Sequence, residues 1–252
     1  MRRLIFWYIP VGAAIVATVA FGAGFYSFLR GDIGKPVDVA PARRIEAQPA
    51  RGVIAPIIIG DSLARGTGDE SGLGIGGRLT DELKRRRLDV RPAVNIAVDG
   101  ARTNDLLQQL DSINVRTLLS QSNVIVISIG GNDLWGGTDW RSAPPRDPDA
   151  VMHGVLDRIE KVVKVIRGVN PKGRIFIVGL YNPFAATPLG AQLTALVNRW
   201  NARLIEQFGS DANITVVETS DLFSHRDRLS FDRFHPNEEG YALIARRIAE
   251  SL

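Results

Sequence analysis

Five short runs of apolar, largely β-branched residues set the tightest limit on what this chain can fold into. They lie at residues 53–59, 94–98, 124–129, 175–180 and 214–217. Each is nearly continuous rather than alternating, the pattern of a strand buried on both faces in a parallel sheet covered by helices. Helical periodicity fills the intervals at 76–88, 103–119, 150–168 and 190–208. A last helix follows at 237–251, where Tyr241, Ile244, Ala245, Ile248 and Leu252 share one stripe. The order βαβαβαβαβα predicts a doubly wound, flavodoxin-like α/β fold: a three-layer α/β/α sandwich with a mostly parallel five-stranded sheet. In such sheets a ligand sits beyond the carboxyl ends of the strands, so the segments that follow each run are where chemistry is expected.

The chain has 252 residues, and 53–252 form the expected globular domain. Two hundred residues bury a sizeable core without covalent braces. With no cysteine anywhere, disulfides, thiolate catalysis and cysteine-ligated zinc are excluded. Residues 4–29 carry no charge and are flanked by Arg2, Arg3 and Arg30. A bilayer span needs about 20 apolar residues, whereas a cleaved signal has an apolar region of roughly 7–15. Residues 1–29 therefore read as a transmembrane anchor, or as a signal segment if cut near Gly22, Ala23 and Gly24. Arg2 and Arg3 favour an inside N-terminus, against Arg30, Lys35, Arg43 and Arg44 on the far side. Long domains cross largely regardless of charge, so a membrane-anchored, extracytoplasmic domain is expected, or a secreted one after cleavage. Residues 30–52, with Pro36, Pro41 and Pro49, read as a flexible linker.

Two widely separated segments suggest chemistry. Ser62 follows the first run, and His235 stands near the C-terminus with Asp232 three residues before it. An alkyl hydroxyl is a poor nucleophile at neutral pH unless a positioned base takes its proton, and that base needs a partner to fix its tautomer. A bland reading remains for each part: Ser62 as a helix cap, and Asn132 as a turn former beside Gly130 and Gly131.

The motifs, taken together, resemble those of the SGNH, or GDSL, hydrolase family. Gly60-Asp61-Ser62-Leu63 is similar to its first block, and Asn95 through Gly100 to its second. Gly130-Gly131-Asn132-Asp133 is similar to its third, and Asp232-Arg233-Phe234-His235 to its closing Asp-x-x-His. The resemblance covers about residues 53–252. It implies a serine esterase with Ser62 as nucleophile, His235 as general base and Asp232 as its orienting carboxylate. It also implies an oxyanion hole formed by the backbone N–H groups of Ser62 and Gly100 and the side-chain amide of Asn132, and it calls for no cofactor and no metal. Asp61 and Asp133 read as loop-shaping residues, and Asp99 as a turn former or rim contact. Pro236 is expected in the first turn of the last helix, holding His235 at its mouth.

The substrate is expected to be a lipid or cell-envelope ester, with an O-acetyl glycan as the alternative. A non-catalytic binding module is the reading from another class. Phe184, Leu189, Trp135 and Trp140 are candidates for an apolar acyl surface, the two tryptophans also for stacking on a sugar, and core packing is the plain alternative for each. Nothing indicates an oligomeric state. The net charge of +4 includes Lys84, Arg85, Arg86 and Arg87 at a predicted helix end, which reads first as a solvated cap and second as a contact for anionic headgroups. Nucleic acid is not an expected partner, because no aromatic residues interleave the basic ones. Residues 72–77 fit Gly-x-Gly-x-x-Gly but lie a dozen residues past the first run, so they read as a loop bordering the substrate rather than a nucleotide site. Of the other two histidines, His153 is expected at a helix surface or boundary, and a place at the rim is only the secondary reading of His225.

Overall fold

A computed structural model describes residues 52–134, 147–224 and 226–252 of the domain, the last segment beginning with backbone only at 226. It also describes 11–12, 14–23 and 26 ahead of the domain. The chain divides into two compact units, Met1–Glu46 and Ala47–Leu252.

In the first unit the described residues are helical and exposed. Among the described residues no helix is long and apolar enough to cross a membrane. The span expected at 4–29 thus gains no support from the structure. Its other positions, and residues 30–51 of the expected linker, lie outside the described residues.

The second unit holds the sheet. Its strands are β1 (Pro56–Gly60), β2 (Val94–Asn95), β3 (Val124–Ser128), β4 (Arg174–Val178) and β5 (Ile214–Val217). All pair in parallel, in the order β2-β1-β3-β4-β5. Alternate residues of each strand serve opposite faces. Ile57, Ile59, Ile125, Ile127, Ile175 and Ile177 join one core cluster, and Ile58, Val124, Val126, Phe176 and Val178 join the other. This double burial is why the runs are continuous instead of alternating.

The helices are α1 (Ser62–Arg65), α2 (Gly74–Arg85), α3 (Thr103–Gln109), α4 (Ile113–Ser120), α5 (Gly131–Leu134), α6 (Pro148–Val169), α7 (Gly190–Phe208) and α8 (Glu238–Glu250). Apolar residues of α3, α4, α6 and α7 fill the first cluster, and those of α2 and α8 the second. Local signals fix the ends of the longest. Asp147 caps α6 by accepting from the Ala150 N–H at 3.0 Å, with Pro148 in the first turn. Asn237 caps α8 through the Gly240 N–H at 3.1 Å.

Three expectations are corrected. The helix expected over 103–119 is two, because the chain turns at Asp111 and Ser112 and the Arg116 guanidinium folds back to donate to the Leu110 carbonyl at 2.8 Å. The strand expected over 94–98 keeps regular pairing for two residues only. There the exposed Asn95 side chain accepts from the Ala97 N–H and donates to the Ala64 carbonyl at 3.0 Å each. Residues 72–77 are not a loop over the substrate, since Gly74 already begins α2.

Both ends of the domain lie on the face of the sheet opposite the carboxyl ends of the strands. At the start of β1, the Ile54 N–H donates to the Asp89 carbonyl and its own carbonyl accepts from Arg91, 2.8 Å each. At the other terminus, the guanidinium of Arg174, first residue of β4, donates to the carbonyls of Ser251 and Leu252.

Candidate active site

β1 ends at Gly60, and the next two residues change role within one turn. Asp61 is the N-cap of α1: its carboxylate accepts from the Leu63 N–H at 3.1 Å and from the Ser128 hydroxyl at 3.1 Å. Ser62 is thereby released from capping, and its Oγ lies 2.9 Å from Nε2 of His235. The other ring nitrogen, Nδ1, is 2.7 Å from Oδ2 of Asp232. A carboxylate can only accept, so Nδ1 carries the proton and Nε2 is left to accept from the Ser62 hydroxyl.

The Asp232 turn is built to hold that carboxylate still. Its Oδ1 accepts from the Ser230 hydroxyl at 2.7 Å and from the backbone N–H groups of Phe234 and His235 at 2.8 and 2.9 Å. That leaves Oδ2 for the imidazole. Burial alone would raise this carboxyl. The hydrogen bonds from His235, Ser230 and the two backbone donors outweigh it and lower the pKa to about 2. Arg233 completes the turn at φ 56°, a left-handed conformation uncommon for a side chain of its size. Behind the turn, a Cβ on Gly68 would come within 2.8 Å of the His235 Cβ and 2.7 Å of the Pro236 carbonyl, so that loop presses directly on the imidazole's backbone. Pro236 itself lies two residues ahead of α8, not in its first turn as expected, and bridges to Leu229.

Asp61 behaves differently from Asp232. Burial without a cationic partner raises its carboxyl from 3.8 to about 7, against the hydrogen bonds from Ser128 and the local backbone. The folded protein therefore holds a proton that the unfolded chain releases above about pH 4. Stability should fall as pH rises from about 4 to 7, by something on the order of 4 kcal/mol if no other group compensates. Asp61→Asn, which keeps an acceptor for the cap, should match the parent's unfolding midpoint near pH 4 and exceed it at pH 8. Equal midpoints at pH 8 would overturn this account.

Ser62 opens onto a narrow cavity of about 60 Å³, whose walls include Leu63, Leu180, Tyr181, Pro183, Phe234 and Asn132. Its far wall is fixed: the Tyr181 hydroxyl donates to the Phe234 carbonyl at 2.7 Å, and its ring stacks on Phe223 at 4.0 Å. Burial keeps that phenol well above its ordinary pKa, so it remains a donor.

Of the residues expected from sequence, Ser62, His235 and Asn132 line this cavity, and Asp232 stands behind His235. The Asn132 amide donates to the Ala101 carbonyl at 2.9 Å. Gly100 does not line the cavity; it sits exposed beside it at φ 74°. A Cβ there would meet nothing within 4 Å, so within the protein it is the backbone angle, not crowding, that favours glycine. Asp99 pairs with Arg65 at 3.3 Å and accepts from Thr67 at 2.6 Å, outside the cavity. Phe184 and Leu189 do not line it either, while Trp135, Trp140 and His225 lie outside the described residues. His153 is on the surface of α6, 3.6 Å from Asp157. In the basic run, Arg85 and Arg86 both pair with Glu82, and Arg86 also donates to the Ala249 carbonyl, so much of that charge is spent on joining helix ends. Among the described residues no cluster of His, Cys, Asp or Glu could hold a metal ion. Tyr181 and Phe234 were not foreseen as walls, because no local pattern shows which side chains a distant strand end will bring to Ser62.

Comparison with known proteins adds independent support. The family model for the GDSL-like lipase/acylhydrolase family matches residues 58–243. The chain is 30% identical over 205 residues to the protein YpmR of Bacillus subtilis, covering 77% of this chain and 79% of that one. It is 25% identical over 201 residues to the spore germination lipase LipC of Bacillus licheniformis, covering 75% and 92%. The crystal structure of the lipase Lip_vut3 from a goat rumen metagenome shares the fold, with a TM-score of 0.66 at 22% identity over 79% of this chain and 97% of that one.

Proposed function

The chain belongs to the GDSL-like lipase/acylhydrolase family, and from that premise we propose that it is a serine esterase acting through an acyl-serine intermediate. The observation that carries this reading is the unbroken relay from Asp232 through His235 to Ser62. His235 Nε2 takes the Ser62 proton as Oγ attacks the ester carbonyl, and the electron pair of the C=O bond moves onto oxygen. Collapse of that intermediate expels the alcohol, which leaves with the proton from Nε2. Water then repeats the sequence on the acyl-serine, releasing the acid and restoring Ser62. The negative oxygen is held by the N–H groups of Ser62 and Gly100 and by the amide of Asn132. An amide has two N–H donors, so with one on the Ala101 carbonyl the second serves the oxyanion.

The cavity beside Ser62 favours a short acyl group. A water needs about 10–15 Å³ of such space, so 60 Å³ admits roughly four to six non-hydrogen atoms, an acetyl to butyryl group counted together with its ester oxygen. This volume supports O-acetyl or other short-chain esters of envelope glycans or lipids over long-chain lipids as substrates. The test is hydrolysis of p-nitrophenyl esters from acetyl to palmitoyl by the full chain. We expect kcat/KM to drop at least about tenfold between butyryl and octanoyl, since methylenes that do not fit must push the walls apart or hold the carbonyl away from Ser62. A maximum at octanoyl or longer would assign the enzyme to lipid esters instead.

Localisation rests on sequence alone. The 26 uncharged positions of 4–29 are the basis for an extracytoplasmic domain held at a membrane. Alkaline extraction of membranes should leave the full chain in the pellet, and its release would overturn anchoring.

A further inference from the structure

The two outer donors of the oxyanion hole come from different strands. Gly100 follows β2, and Asn132 follows β3. These strands are not neighbours, because β1 lies between them. Each pairs with β1, so register fixes where the two strands end, but the donors lie several residues beyond those ends and need a further tie.

That tie is a closed ring of three side chains. Asp133 Oδ2 accepts from the Thr103 N–H at 2.9 Å, and its Oδ1 accepts from the Thr103 hydroxyl at 2.7 Å. Arg158, on α6, donates from Nη2 to Asp133 Oδ1 at 3.1 Å and from Nε to Thr103 Oγ1 at 2.5 Å. Thr103 is fully buried, the Asp133 side chain is 6% exposed and that of Arg158 29%. Thr103 stands three residues after Gly100, and Asp133 immediately follows Asn132. One guanidinium thus grips both arms, each within three residues of its donor. A buried ion pair is a weak way to stabilise a core, since apolar residues of similar size do as well or better. What it supplies is a fixed geometry, with both Asp133 oxygens, the Thr103 hydroxyl and N–H, and Nε and Nη2 of Arg158 committed.

We propose that Arg158 is a positioning residue for catalysis: through Asp133 and Thr103 it fixes the Asn132 amide relative to the Gly100 N–H. The proposal rests on the esterase reading above. Because the oxyanion exists only in the transition state, misplacing a donor should lower kcat and leave KM nearly unchanged.

The experiment is a double-mutant cycle in the full chain on p-nitrophenyl acetate, each variant assayed well below its own measured unfolding midpoint. Arg158→Met, similar in length but unable to donate, should lose about 10- to 100-fold in kcat, with KM moving less than about threefold. Arg158→Lys should not restore the rate, because an ammonium lacks the fork that reaches both partners. Asn132→Ala alone should lose about 10²–10³-fold. In the Asn132→Ala background the Arg158 substitution should cost at least about threefold less than it does alone, since the donor it places is gone. A merely structural arginine predicts the same fold-loss in both backgrounds, and that result would overturn the proposal. So would a kcat for Arg158→Met within about twofold of the parent. If Arg158→Met does not fold, Thr103→Val carries the same cycle, removing the hydroxyl from the ring at nearly constant volume. Absence of Ser62-dependent turnover in the unmodified protein would instead overturn the esterase reading, and this role with it.

Discussion

Ser62→Ala should abolish acyl-enzyme formation and lower kcat by about 10⁴-fold or more, while shifting the unfolding midpoint by no more than about 2 °C. The two halves of that expectation come from the same turn. The Ser62 hydroxyl meets His235 Nε2, and the capping of α1 is done by Asp61, so the serine side chain has no structural duty to forfeit. The reading of Ser62 as a helix cap predicts the reverse, a destabilised protein that still turns over. Intact mass after treatment with a serine-reactive phosphonate should show one adduct on the parent and none on the variant. Turnover within about tenfold of the parent would remove Ser62 from the mechanism.

Gly60→Ala should do the opposite and act on folding. At Gly60 the backbone adopts φ 129°, and a Cβ there would lie 1.8 Å from the Ser128 carbonyl oxygen. That oxygen also accepts the Asp61 N–H at 2.9 Å, so it cannot retreat without loosening the cap that presents Ser62. Strain at such an angle costs about 1–3 kcal/mol. With the clash added, the loss should reach about 4 kcal/mol or more, which for a domain of this size is a fall of roughly 10 °C or more in Tm. Gly100→Ala is the control. Its φ is also positive, but a Cβ would meet open space, so only about 1–2 kcal/mol is expected. Thermal unfolding of the two variants side by side decides the matter. Equal losses would show that the approach of β1 to β3 at Gly60 is not the constraint described.

Much of the architecture is legible in the chain because its determinants are local. Strands buried on both faces are apolar nearly throughout, which marks β1, β3 and β4 strongly and the half-buried edge strand β5 less so. The periodic stripes of α6, α7 and α8 coincide closely with the observed helices. Local signals fail where a distant partner decides. The break between α3 and α4 depends on a side chain folding back to the Leu110 carbonyl, and β2 is cut short by Asn95 reaching to α1. Ser62, Asp232, His235 and Asn132 could be named because their motifs are compact and each follows a strand. The walls Tyr181 and Phe234, and the arginine of the Asp133 ring, have no such mark. Arg158 is an unremarkable charge in a long amphipathic helix until the fold brings it to 3.1 Å from a carboxylate 25 residues earlier in the chain. Asp133 reads as a loop-shaping residue, but its bonds cross to α3 and α6 instead of its own turn.

The placement of the two domain ends has a practical meaning. β1 enters beside Asp89 and Arg91, and the C-terminal carbonyls are held by Arg174, both on the side of the sheet away from Ser62. A leash attached at either end, whether to a bead, a fusion partner or a cell surface, pulls on the back of the enzyme. An attachment at either end therefore leaves the approach to Ser62, at the other ends of the strands, unobstructed.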